Sequence, residues 1–316
     1  MKILGINISH NPSICLYENE QVLEFYNEER FTNYKGQLPE SYDFKILQSI
    51  KQKVKDFDFV CYASFGRLFS DTTDLEVISK IQRQLNNPPF YFNEKEHHLY
   101  HAYTGKYFSS FDDAVCIVID GGGACNYSKP FQEIESVYYM NQKNCIPLYK
   151  HSSNIRSLLE LSGRSNWKNT LKQSNFLYKT YHGGYEQIFS SRVFGGLSFD
   201  MATLDIGFKS GYEAGKLMGL ASYADCENKF DLDYDKVRIA KEVQDKHFED
   251  TSYLIDRFSD MSKNIILSGG CALNCSNNFK FVKKYPHLNF FIDPVPWDAG
   301  TAIGVSIFYE HNKRQI

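Results

Sequence analysis

The sequence predicts a two-lobed α/β fold with a ligand cleft between the lobes. Three observations carry that prediction. The chain has 316 residues, which at about 150 residues per domain makes two domains or one large two-lobed unit. Its elements run β-rich then α, and again β-rich then α. Glycine turns at Gly121-Gly122-Gly123 and Gly269-Gly270 follow key strands, which places ligands at strand ends. The lobes divide as 1–112 and 113–316.

The first set opens with strands over 2–8, 14–17 and 22–26, with a polar break at Glu18-Asn19-Glu20 that suits a hairpin turn. Helical spacing follows over 41–55, through Phe44, Leu47, Ile50 and Val54, and over 75–85, through Ile78, Ile81 and Leu85. Residues 57–65 between them read as a strand. Pro88 and Pro89 break the chain before a histidine-rich helix over about 96–107. In the second set, 114–120 is an apolar run whose length suits a buried strand, and 135–140 is another strand. The polar, poorly periodic stretch 141–175 reads as surface loops and an insertion. A strand at 265–267, a helix at 273–284, a strand at 290–292 and a last helix at 299–309 complete the set.

Composition narrows the function classes. Apolar residues at 42%, charged at 23% and aromatic at 16% can build a core and exclude disorder, collagen and a small disulfide scaffold. The balance of 35 basic against 38 acidic residues gives −3, which argues against a protein held on nucleic acid by bulk charge. The apolar start is too short for a signal peptide, and no window approaches the roughly 18 apolar residues of a membrane span. A cytoplasmic, reduced protein with no membrane partner is expected. The eight cysteines show no zinc-ribbon spacing, and Cys271 and Cys275 read as two buried thiols.

Four clusters carry chemistry. In His97-His98-Leu99-Tyr100-His101, His97 and His101 share a helix face and can reach one metal ion. A zinc protease needs Glu where His98 stands, so its general base is missing; the bland reading is a surface or packing pair. Asp120, at the end of the 114–120 strand and before three glycines, can hold a cation while the bare N–H groups approach phosphate. A polar strand end and tight turn explains it equally well. Ser268-Gly269-Gly270-Cys271-Ala272-Leu273-Asn274, a strand running through glycines into a helix, is a phosphate- or nucleotide-binding arrangement that is neither Walker loop nor dinucleotide fingerprint. Asp298 opens a helix with small residues behind it, Ala299-Gly300-Thr301-Ala302, so something bulky is expected against that helix. Taken alone, Asp298 is an N-cap. His10 after the first strand, Glu28-Glu29-Arg30-Phe31-Thr32 with Lys35, and Lys216 between Gly215 and Gly219 complete the set.

The order of these motifs resembles the NodU/CmcH family of O-carbamoyltransferases, which shares a domain with tRNA threonylcarbamoyl transferases. The matching pieces are residues 3–10 with Ser13, 28–32, 97–102, 119–121, 216–221, 268–274 and 298–302. The resemblance implies an actin/Hsp70/sugar-kinase-type (ASKHA) fold and a mononuclear metal held by His97, His101, Asp120 and Asp298. Iron is the metal of the relatives, and a mixed N/O set also suits Mn(II) or Zn(II). It implies carbamoyl transfer to a hydroxyl with His10 as base, and with Lys35 neutralising phosphate or carbamoyl oxygen. Gly269, Gly270 and Asn274 would line a nucleotide pocket, with Gly121, Gly122 and Lys216 as further cofactor-binding candidates.

The donor would be carbamoyl phosphate, directly or through ATP as carbamoyl-adenylate. Relatives usually carry a second, YrdC-like domain that makes the adenylate, whereas this sequence runs to Ile316. A separate activating protein, a longer chain, or direct use of carbamoyl phosphate would each account for that. The acceptor is expected to be a small molecule or sugar, with a modified nucleobase or DNA as the minor alternative. The rival functions are a nucleotide-binding regulatory module of the same fold and a threonylcarbamoyl transferase acting on tRNA. The second is disfavoured because its His-x-Glu-Gly-His form is replaced here by His97-His98-Leu99-Tyr100-His101.

Overall fold

Two sheets repeat one strand pattern in a computed structural model that describes residues 1–33, 56–65, 73–126, 131–154, 177–190, 195–224 and 233–313. In the first sheet, β1 (Lys2–Asn7), β2 (Ser13–Glu18) and β3 (Gln21–Asn27) pair antiparallel in sequence. On the other side of β1, β4 (Phe59–Ala63) and then β5 (Phe90–Phe92) add in parallel. The second sheet repeats this with β6 (Ala114–Ile119), β8 (Phe131–Met140) and β9 (Cys145–Asn154) antiparallel, and with β12 (Asn264–Ser268) and β13 (Asn289–Ile292) parallel beside β6. The short β7 (Cys125–Asn126) pairs with β8. A hairpin of β10 (Leu177–His182) and β11 (Tyr185–Ser190) extends the sheet beyond β9.

Helices cover both faces of each sheet. Alternate residues of β1 point opposite ways. Leu4 and Ile6 meet Val77, Ile78 and Ile81 of α2 (Asp74–Gln84), after a four-residue α1 (Glu29–Thr32). Ile3 instead joins Ala302, Ile303 and Val305 of the last helix. A capping box starts α2, since Thr73 accepts from the Glu76 N–H and Glu76 takes the Thr73 N–H at 2.7 Å. In the second sheet, Val115, Ile117 and Ile119 face one cluster, and Cys116 and Val118 face α3 (His97–Phe108). That double cover is why 114–119 is apolar throughout. Helices α4 (Gly195–Asp205) and α5 (Ala214–Ala221) pack with α6 (Tyr234–Phe258), while α6 and α7 (Cys275–Lys284) cover the outer face of the second sheet.

Between the sheets lie α3 and α8 (Thr301–Asn312), in close contact. Small residues make this possible. A Cβ on Gly304 would stand 1.8 Å from the Tyr100 carbonyl oxygen, and one on Gly5 would stand 2.0 Å from that of Ala302. The bulk expected against the 299–309 helix is therefore the backbone of α3 and β1. The 112/113 division falls between α3 and β6, and α8 returns from the far end of the chain to pack on the first sheet.

Several expectations change. Residues 145–154 are not a loop: they form β9, the third strand of the repeated pattern. Its polar run has the composition of a loop because Lys150 and His151 are buried or half-buried against Glu133 and Glu135 of β8. The remainder of that stretch, 155–176, and the helix expected over 41–55 lie outside the described residues. Cys271 is buried but Cys275 is exposed. The 25-residue α6 was not anticipated, although Val237, Ala240, Val243, His247, Leu254 and Phe258 mark a helical stripe. Among the described residues, no helix is long and apolar enough to cross a membrane.

Candidate functional site

The two sheets present equivalent strand ends to one another. His10 follows β1, Asp120 follows β6, and each is the central strand of its pattern. Between them, the first turn of α3 contributes His97 and His101, and the short 3-10 turn before α8 contributes Asp298. His10, Asp120 and Asp298 line a cleft of about 750 Å³.

His97, His101, Asp120 and Asp298 are all buried, and one ligand atom of each lies within 4.8 Å of the others. His97 Nε2 and His101 Nε2 are 3.2 Å apart, and Asp120 Oδ2 is 3.4 Å and 3.2 Å from them. Asp298 Oδ1 is 3.7 Å from His97 Nε2 and 3.8 Å from His101 Nε2. Donor atoms 3.2–3.8 Å apart match the spacing of neighbouring ligands held about 2.0–2.2 Å from one ion. Asp298 Oδ1 is buried with no hydrogen-bond partner among the described residues, which an ion would supply. The donor set therefore fits a divalent metal. Burial works to raise the Asp120 carboxyl, but the two imidazoles outweigh it and hold it well below the usual carboxylate range. Burial likewise works against His101⁺, and Asp120 with Asp298 overcomes it, so that imidazole is raised.

Each acid is also held from behind. Asp120 Oδ1 accepts from the Gly121 N–H at 2.7 Å and the Gly270 N–H at 3.2 Å. Those two donors therefore serve the carboxylate in this structure, where the sequence suggested a phosphate. Asp298 accepts from Ser9 Oγ on Oδ2 at 2.7 Å, and His10 Nε2 is 3.3 Å from the same oxygen. Its carboxylate makes no cap bond, so the N-cap reading fails. Asn7 shapes the His10 loop by donating to the carbonyls of His10 and Asn11 and accepting from Ser9 N–H. The His10 ring lies between Phe65 and Tyr212, with centroids at 5.5 Å and 5.8 Å, and lines the cleft.

The other expected residues divide. Gly121, Gly122, Gly270 and Asn274 line the cleft. The Asn274 amide is already engaged, pairing in both directions with Gln244 at 2.9 Å. Gly269 sits behind the wall at φ +82°, a left-handed conformation, and a Cβ there would meet the Ile119 carbonyl at 2.4 Å. Lys216 is exposed and pairs with Glu213, while its helix neighbours Gly215 and Met218 line the cleft. Lys35 lies outside the described residues. His98 is not among the converging ligands; it faces Ser136 Oγ at 2.9 Å, and burial pushes it down to about 4.

Sequence reasoning missed Asp200 on α4. It lines the cleft near Gly121, and burial pushes its carboxyl up to about 6. The signal was Gly195-Gly196 four residues before it. Gly196 donates its N–H to the Asp120 carbonyl at 3.0 Å, and a Cβ there would stand 2.5 Å from the Gly121 nitrogen.

Comparison with known proteins adds the fold and a likeness over one segment. Structures of HypF match over 99% of this chain. One, in a phosphate- and nucleotide-bound form, has a TM-score of 0.63 at 14% identity; the other, from T. kodakarensis, has 0.60 at 15%. This chain spans only 55% and 48% of their lengths, about half. A ROK family protein from Streptococcus pneumoniae in complex with sucrose matches over the whole of both chains, at TM-score 0.51 and 9% identity. The fold is the two-lobed actin/Hsp70/sugar-kinase type. No curated protein matches the sequence. Residues 243–307, which include Gly269, Gly270, Asn274 and Asp298, match the family model for the carbamoyltransferase N-terminus. That segment is 65 of the chain's 316 residues, and within it the chain is similar to the carbamoyltransferase N-terminus.

Proposed function

We propose that this protein transfers a carbamoyl group from carbamoyl phosphate or carbamoyl-adenylate to a hydroxyl of a small molecule or sugar. The observation that carries the reading is Asp298, whose two oxygens face different partners. Oδ2 lies beside His10 and Ser9, and Oδ1 faces the paired imidazoles His97 and His101. A base and a cation site are thereby joined through one carboxylate at the cleft wall.

His10 would take the acceptor's hydroxyl proton as its oxygen bonds to the carbamoyl carbon. The carbon's bond to the phosphate oxygen breaks, and phosphate or AMP leaves with that electron pair. Asp298 Oδ2, beside Nε2, would stabilise the imidazolium formed on His10, while Asn11 Oδ1, 2.8 Å from Nδ1, orients the ring from its other side. His97, His101, Asp120 and Asp298 would hold the divalent ion, iron first and manganese or zinc next, whose chemistry when bound is to offset charge on phosphate oxygens. The glycines beside Asp120 leave the cleft floor bare for the donor.

The test is incubation of the metal-loaded protein with labelled carbamoyl phosphate, with and without ATP, and with carbamoyl-adenylate, against a panel of hydroxyl compounds. Mass spectrometry should find a product heavier by one carbamoyl group. No product from any donor would overturn the assignment in favour of a nucleotide-binding regulatory module.

A further inference from the structure

Helix α6 packs Gln244, His247 and Thr251 against α7 and the turn after β12, and the amide contacts there fix the protonation of His247. Asn277 Nδ2 is 2.9 Å from the Gln244 backbone carbonyl, which can only accept, so this atom is the donating amide nitrogen. The same nitrogen lies 2.9 Å from His247 Nδ1, which must therefore accept. Burial pushes this imidazole down to about 4, so the ring is neutral with its proton on Nε2.

That Nε2–H has no protein partner among the described residues, and neither does Thr251 Oγ1 one helical turn further on. His247 is 5% exposed and Thr251 1%. Both line a cavity of about 10 Å³ with mostly apolar neighbours. Its other polar residues, Ser268 and Asn278, hydrogen-bond elsewhere, Ser268 Oγ to the His101 carbonyl and Asp293, and Asn278 Nδ2 to the Ala272 carbonyl. A space of that size admits one water molecule when at least two polar groups hold it. A cation is excluded, because Nε2 offers a proton where a cation needs a lone pair.

We propose that this cavity is a binding site for a single buried water, accepting from His247 Nε2–H and donating to Thr251 Oγ1. Cys271 lines both this cavity and the cleft, so the water would sit behind the turn that floors the cleft. The site stands apart from the transferase reading and does not depend on it.

A high-resolution crystal structure and nitrogen-15 NMR of the imidazole test it. One ordered solvent peak is expected at about 2.7–3.2 Å from both atoms, with a neutral Nε2–H tautomer. The peak should survive in Thr251→Ser and be lost in Thr251→Val. A dry cavity in the unsubstituted protein, an Nδ1–H tautomer, or an unchanged peak in Thr251→Val would each overturn the assignment. Should the valine variant not fold, the unsubstituted protein's map and spectrum decide it.

Discussion

Asp298 is the residue whose two readings separate most sharply. As an N-cap it would be replaceable, because Asn caps a helix as well as Asp does. As a shared carboxylate it is not, because an amide gives up the charge that faces His97, His101 and His10. Asp298→Asn should therefore lose bound metal and transfer activity together while remaining folded, as read by elemental analysis, turnover and circular dichroism. Retention of the metal would remove Asp298 from the ligand set. His10→Asn should behave differently, since His10 only borders the ligand set. It should keep the metal and lower kcat by about 10²–10⁴, the usual worth of a positioned base. His101→Ala should lose the metal, and unchanged metal content would sink the ligand assignment. At this scale the sequence was informative wherever spacing or a glycine turn constrains chemistry, as at His97, His101 and Asp120. It was silent at Asp200, whose importance comes from burial beside a loop distant in sequence.

Elements meet here through missing side chains, and glycines of one residue type should respond to substitution in opposite directions. Gly304 lets α8 reach α3, so Gly304→Val drives methyl groups into the Tyr100 backbone. Overpacking of this kind costs about 1–3 kcal/mol, and here it also pries apart the helix bearing His97 and His101 from the one that follows Asp298. Both denaturation midpoint and metal affinity should fall. Gly219, on the exposed side of α5, has nothing within 4 Å of an added Cβ. Gly219→Ala should stabilise by roughly 0.5–1 kcal/mol through helix propensity alone, measured by the same urea titration. A stabilised Gly304→Val would contradict the packing argument. Element type was legible where the pattern is clean, as a helical period in α2 and an unbroken apolar run in β6. It failed at β9, where Lys150 and His151 satisfy buried partners on β8, so a central strand carries the composition of a loop. Hydropathy registers the polarity of such side chains and not their pairing, which exists only once the sheet has formed.

Across the whole molecule, the repeated sheets bury titratable groups of opposite sign, and stability should depend on pH through both. His247 is held neutral, its folded value pushed down by burial to about 4 from an ordinary 6.5. Between those values the unfolded chain binds a proton that the folded chain refuses, so this group's stability contribution is lost as pH falls from about 6.5 towards 4. Asp200 acts in the reverse sense, because burial pushes its carboxyl up from 3.8 to about 6. The folded state there keeps a proton that the unfolded chain has released, so its contribution is lost as pH rises from about 4 through 6. Each group can change the slope of unfolding free energy by up to about 1.4 kcal/mol per pH unit within its window. Around pH 5 the two oppose each other, while His98, also pushed down to about 4 by burial, acts in the same sense as His247. Substitution separates them. His247→Gln should make the slope between pH 4.5 and 6 less positive, and Asp200→Asn should make it more positive. Urea unfolding across that range measures both, and the double variant should return close to the original slope because the sites lie on different helices. Slopes that shift in the same direction would mean that one of these groups is not held in the protonation state its burial implies.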